Sequence, residues 1–145
     1  MSIPPRDVFA CNPLHHDHYL TTVAPLQGDW TQRYRALLQL GALLPPVLAE
    51  YREEIHRVPG CESAAWLWMY ADASGLWWLA ESDAKISKGL LALAISRVNG
   101  LSAPALLALD LEQEFTELGL AKHLSQSRAG GFTAMLKRMR QLAAG

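Results

Sequence analysis

The sequence predicts an α+β fold, one small three-stranded antiparallel sheet covered by helices. Two observations carry this. Residues 55–82 form a block that opens on IHRV, with β-branched residues at its ends, and continues in aromatic-rich runs, and helix-periodic apolar residues flank it on both sides. A polar turn, Asp72-Ala73-Ser74-Gly75, divides the two longest runs of that block, SAAWLWMYADA and GLWWLAES. Helices, then strands, then helices is the order of a layered α+β domain.

The elements follow in chain order. Residues 1–12 carry two prolines and mixed polarity and read as a loose lead-in to a single domain spanning 1–145. Asn12-Pro13 starts a helix, Asn as N-cap and Pro at the first helical position, running to about Pro25. Gly28-Asp29 opens a second helix, in which Trp30, Tyr34, Leu37, Leu38 and Gly41 share an apolar face. Pro45-Pro46 stops it, and a short helix, VLAEYREE, follows. The first strand is IHRV, residues 55–58, and the hairpin supplies the other two. Ser82 or Asp83 caps the next helix, with Ile86, Leu90, Leu93 and Ala94 facing inward and Gly100 closing it. Ser102 caps APALLAL, and Asp110 with Gln113 resembles a capping box. Gly119 ends that segment. The last helix starts at Ser125 or Ser127 and spaces Phe132, Met135, Leu136, Met139 and Leu142 helically.

Composition excludes several functions. Half of the 145 residues are apolar and the net charge is -1, so no basic field for nucleic acid exists. No apolar run approaches the roughly 20 residues of a membrane span, and the N-terminus has no continuous apolar signal region. The chain is expected in the cytoplasm, where its two cysteines, Cys11 and Cys61, stay reduced.

Cys61 is the leading candidate for chemistry. It follows Pro59-Gly60 at a loop tip, and such loops on rigid scaffolds carry function. A thiolate there is a nucleophile, whereas a small buried hydrophobe is the alternative. Cys11 with His15, His16 and His18 holds metal-ligand residue types, but the spacing fits no known finger. A solvated helix end is the better reading. Trp66 and Trp68 share one sheet face while Trp77 and Trp78 point oppositely, so at least one indole lies off the main core face. Core and cross-strand packing is favoured over a partner-binding patch. SRAGG, residues 127–131, could cradle an anion but lacks the P-loop lysine and follows no strand. Arg128 opposes the helix dipole in a first turn, so it points at something, a carboxylate, a carbonyl or a thiolate. His56 and His123 are the available partners for a Cys–His hydrolase or transferase, with nothing in the sequence to tie either to Cys61.

An ordered set of segments carries a resemblance. It comprises W-x-x-R-Y at Trp30 to Tyr34, L-G-x-L-L-P at Leu40 to Pro45, R-V-P-G-C-E-S at Arg57 to Ser63, and W-L at Trp66 to Leu67. It continues with S-D-A-K-I-x-K-G-L-L-A from Ser82, E-L-G-L-x-x-H-L-S-x-S-R ending at Arg128, and G-F-x-A-M from Gly131. From about residue 26 onward the chain resembles the SufE-type sulfur acceptors, including the CsdE branch. The resemblance implies a SufE/NifU-like fold and a partner, a cysteine desulfurase that uses pyridoxal phosphate and holds sulfur as a persulfide. It implies that Cys61 accepts that sulfur and passes it toward iron–sulfur cluster assembly, that Arg128 supports the acceptor loop, and that the chain needs no cofactor of its own. It also places the Ser82-Asp83 helix start beside that loop. The chain departs from the family pattern at Ala80-Glu81, where Gly-Asp is common, at Ser87, where Val is common, and at Gly130, where a polar residue is common. Two cysteines are too few for an iron–sulfur scaffold, which usually needs about four thiolates. A non-catalytic adaptor is the remaining rival.

Overall fold

A computed structural model describes residues 2–145. Two antiparallel strands, β1 (Ala65–Asp72) and β2 (Gly75–Ser82), form the sheet. Ala65 pairs with Ser82 and Asp72 with Gly75, so the turn is the predicted polar one. Asp72 holds it by accepting from the Ser74 and Gly75 amides, the Ser74 hydroxyl and Trp77 Nε1. Those donors keep its carboxyl low, at a pKa of about 2.

The third strand predicted at 55–58 does not form. Residues 54–56 wind into a 3-10 turn, and only a single bridge, Arg57 to Trp66, and the Val58 amide bond to Ala65 O (2.8 Å) reach β1. Pro59 has no N–H to continue a ladder. The other sheet edge is closed without a strand. Leu76 exchanges hydrogen bonds with residues 100 and 101, and the Trp78 amide donates to Asn99 Oδ1 (2.8 Å). Asn12 Nδ2 donates to Trp78 O (3.0 Å), and Asn99 Nδ2 donates to Leu14 O (2.8 Å). Two Asn side chains and one turn thereby occupy an edge that would otherwise template another chain.

Alternation divides the sheet. Leu67, Leu76, Trp78 and Ala80 join the main core, while Trp68 and Leu79 face a second cluster with Phe9 and Val47, flanked by Trp66, Tyr70 and Trp77. Three of the four strand tryptophans therefore lie off the main core face. The lead-in is not loose over its whole length. Residues 6–10 form α1 (Arg6–Ala10), and Phe9 is buried against Tyr70, edge to face at 4.7 Å. The apolar second face supplies the reason, since it needs a cover that the C-terminal helices do not provide.

The predicted helix after Asn12 shrinks to a 3-10 turn at 16–18 and α2 (Tyr19–Val23). Asn12 commits its side chain to the sheet edge and to the Leu14 amide instead. α3 (Trp30–Ala42) starts as predicted, with a full capping box between Asp29 and Gln32. The VLAEYREE helix reduces to 3-10 turns at 49–51 and 54–56. α4 (Lys85–Val98) is buried nearly all round, as a central helix must be. It begins later than predicted, with Ala84 at the cap and no side-chain cap bond. Ser82 still pairs in β2 and donates its hydroxyl to Ala64 O. α5 (Ala103–Leu107), α6 (Leu111–Glu117) and α7 (Gln126–Ala143) follow. Ser102, Asp110 and Ser125 cap them by accepting from the Ala105, Gln113 and Arg128 amides.

α3 crosses α4 at a glycine pair. A Cβ on Gly89 would stand 2.4 Å from Leu37 O, and one on Gly41 would stand 2.9 Å from Gly89 N. Both obstacles are backbone and cannot rotate away.

These contacts set two expected stability losses. Gly89→Ala should destabilise by roughly 1–3 kcal/mol through overpacking, read as a lowered denaturant midpoint with unchanged slope; an unchanged midpoint would show that the helices separate freely. Phe9→Ala should cost roughly 3–5 kcal/mol, and an effect below that of an ordinary surface change would mean that the second sheet face does not depend on α1.

Candidate functional site

Cys61 sits just beyond the turn that links the Arg57 bridge to β1. Gly60 has φ +88°, a left-handed conformation that favours glycine, and a Cβ there would stand 3.4 Å from the Ala134 side chain of α7. The loop therefore leans on α7 rather than standing free. Cys61 is half-buried, and its Sγ donates to Gly131 O at 3.5 Å. A Cβ on Gly131 would lie 3.6 Å from Sγ, so the bare glycine of α7 is the surface on which the sulfur rests.

Burial pushes the Cys61 thiol above its ordinary value, and Arg57 pulls it partly back. The resting sulfur is consequently a protonated thiol with weak nucleophilicity, since only the thiolate attacks. Arg57, four residues upstream, is the cation that favours the thiolate. Sequence reasoning missed it, although its place in the same loop was a signal.

The sulfur opens on a cleft of about 450 Å³ between the loop, α3, α4 and α7. Trp30, Ser87, His123, Ser127, Arg128 and Met135 are among its walls. Arg128 is thus brought to the same cleft as Cys61. Its amide is taken by the Ser125 cap, and among the described residues its guanidinium has no hydrogen-bond or ion-pair partner. His123 lines the cleft too, stacked on Trp30 with ring centroids 5.2 Å apart. Neither it nor His56 hydrogen-bonds the sulfur among the described residues. His56 faces the Trp68 ring at 6.1 Å, with its Nε2 buried and unpartnered. The geometry that a Cys–His hydrolase needs is absent among the described residues.

The predicted helix start at Ser82-Asp83 does lie beside the loop, since the Asp83 amide and the Ser82 hydroxyl both donate to Ala64 O. Next to it, Glu81 is buried and accepts from Lys88 Nζ (3.0 Å) and from the Val47 amide (3.3 Å), with Arg52 Nη2 at 3.6 Å. This carboxylate ties the 47–52 segment, β2 and α4 together at the base of the loop.

Cys11 is exposed at the end of α1. His15, His16 and Asp17 bring their ligand atoms within 4.8 Å of one another, without Cys11 or His18. His15 Nδ1 already accepts the Asp17 amide at 3.1 Å. The chemistry therefore concentrates at Cys61.

The family described as SufE, an Fe-S metabolism associated domain, matches residues 20–143. The chain belongs to the SufE family. A SufE-like protein of Rhizobium etli, itself uncharacterized, is 34% identical over 119 residues, covering 79% of this chain and 80% of that one. The solution structure of a hypothetical protein from Thermus thermophilus superposes with a TM-score of 0.71 at 20% identity, over 88% of this chain and 94% of that one. The helix-covered antiparallel sheet is thus shared with that protein, and SufE membership ties the chain to iron–sulfur metabolism. Among the described residues no helix is long and apolar enough to cross a membrane.

The raised thiol has a measurable consequence in this SufE chain. Alkylation of Cys61 by iodoacetamide, followed by peptide mass spectrometry against pH, should have a higher midpoint in the folded protein than in urea. An equal or lower midpoint would mean that burial does not govern the thiol.

Proposed function

We propose that this protein accepts sulfur on Cys61 from the persulfide of a cysteine desulfurase and relays it toward iron–sulfur cluster assembly. The observation that carries this reading is the state of the Cys61 sulfur. It is half-buried on a loop tip, held among the described residues by a long bond to Gly131 O, and open to a cleft. The desulfurase, whose own chemistry uses pyridoxal phosphate, supplies the outer sulfur of its persulfide. The Cys61 thiolate attacks that sulfur, the donor's S–S bond breaks, and its electron pair leaves on the donor cysteine. The reverse of this displacement, with a downstream thiol as nucleophile, delivers the sulfur. This chain acts as carrier and needs no cofactor of its own.

The loop explains why a carrier fits better than an enzyme. Burial keeps the idle sulfur neutral and away from competing thiols and oxidants. Breaking one weak bond and rotating about Gly60 frees it for a partner. Arg57 then favours the thiolate as the burial is lost. Arg128, across the cleft, supports the docked loop.

Incubation with a cysteine desulfurase and cysteine should add one sulfur atom to Cys61, read by intact and peptide mass spectrometry. Cys61→Ser should lose both the added sulfur and any stimulation of desulfurase turnover, while Cys11→Ser keeps both. Undiminished stimulation by Cys61→Ser would remove the cysteine from the mechanism and leave an adaptor.

A further inference from the structure

The Cys61 cleft carries more anion-binding capacity than one thiol uses. α4 and α7, 14 and 18 residues long, both present their first turns to it through Ser87 and Arg128. Neither has an acidic residue in that turn, and the leading amides of α4 have no side-chain cap. Helix N-termini of this kind attract anions. The Arg128 guanidinium adds a full charge with no partner among the described residues. Among the described residues, Glu62, exposed on the rim, is the one acidic side chain lining the cleft.

Ser87 is an independent sign of a ligand. It is 7% exposed, lines the cleft, and its hydroxyl has no hydrogen-bond partner among the described residues. The residue is largely buried, but its hydroxyl is not sealed in the interior, so it opens to the cleft and is free to hydrogen-bond a ligand there.

We propose that this cleft binds a thiosulfate-class anion, a sulfane sulfur on a sulfonate head, and that Cys61 takes the sulfane sulfur from it directly. The sulfonate oxygens meet Arg128, the Ser87 and Ser127 hydroxyls and the first-turn amides of α7. Ser127 and Arg128 lie four and three residues before Gly131, on the helix face that the Cys61 sulfur touches. The outer sulfur then points at Sγ. Cys61 loses its proton to solvent, and its thiolate attacks the sulfane sulfur. An Sγ–S bond forms, the S–S bond of thiosulfate breaks, and the electron pair leaves on sulfite. No outside oxidant or reductant enters. The inference takes Cys61 as the sulfur-accepting thiol proposed above and adds a second, small-molecule source of sulfur.

The experiment uses the reduced full-length protein with sodium thiosulfate, reading sulfur on Cys61 by mass spectrometry and sulfite release by colorimetry. One sulfur should appear on Cys61 per sulfite released, and none on Cys61→Ser. Ser87→Val and Arg128→Met, checked for native circular dichroism and melting, should each slow the loading by about tenfold or more, as loss of a hydrogen bond to a charged group does. Sulfate, an unreactive mimic of the head, should compete. Equal rates in wild type, Ser87→Val and Arg128→Met would overturn the site. A wild-type protein that loads from desulfurase and cysteine but not from thiosulfate would overturn this inference alone. Loading from thiosulfate but not from desulfurase would instead overturn the donor proposed above and support the anion site.

Discussion

A two-stranded hairpin is marginal by itself in water, and here it is the only sheet among the described residues. The rest of the molecule answers that constraint. α4 covers one face, buried nearly all round because α3 and α7 cover it in turn. The glycine contact between α3 and α4 brings the two backbones close enough for this cover to be tight. Phe9 and Val47 close the other face. Asn12 and Asn99 satisfy the open edge of β2 at Trp78, so no buried amide or carbonyl there is left to water.

The same packing sets the chemistry of Cys61. Arg57 sets a positive field at the sulfur. That field favours a thiolate. Burial against α7 opposes it, and burial wins, because the thiol is pushed up rather than down. A carrier gains from this order of strengths. The idle thiol is quiet, and leaving the α7 surface removes the burial that silences it while keeping the Arg57 charge in the same loop. In the proposed carrier role, activation is thereby coupled to loop movement rather than to a built-in base.

Glu81 shows how a buried carboxylate is accommodated beside the loop. A buried carboxylate is tolerable only when it is paired and hydrogen-bonded, and Lys88, Arg52 and the Val47 amide provide this. The network anchors the segment before the Cys loop to the strand after it. The base of the loop is therefore fixed.

Much of this is legible in the sequence. The hairpin register, the Asp29, Ser102, Asp110 and Ser125 caps and the prominence of Cys61 follow from local patterns of turn, cap and period, which depend on neighbours in the chain. So does the split of the tryptophans between two sheet faces, because side chains on a strand alternate. The β-branched residues at 55–58 look strand-like by themselves, but the 3-10 turn at 54–56 and Pro59 allow only one bridge. The lead-in reads as loose in sequence because the partner of Phe9, the second sheet face, lies some sixty residues away. Tertiary structure alone brought Ser87, Arg128 and Cys61 to one cleft, laid the sulfur on Gly131, and decided the direction in which its proton affinity moves. Those outcomes depend on distances between segments remote in sequence and on how much water remains between them, and neither quantity is written in any local pattern.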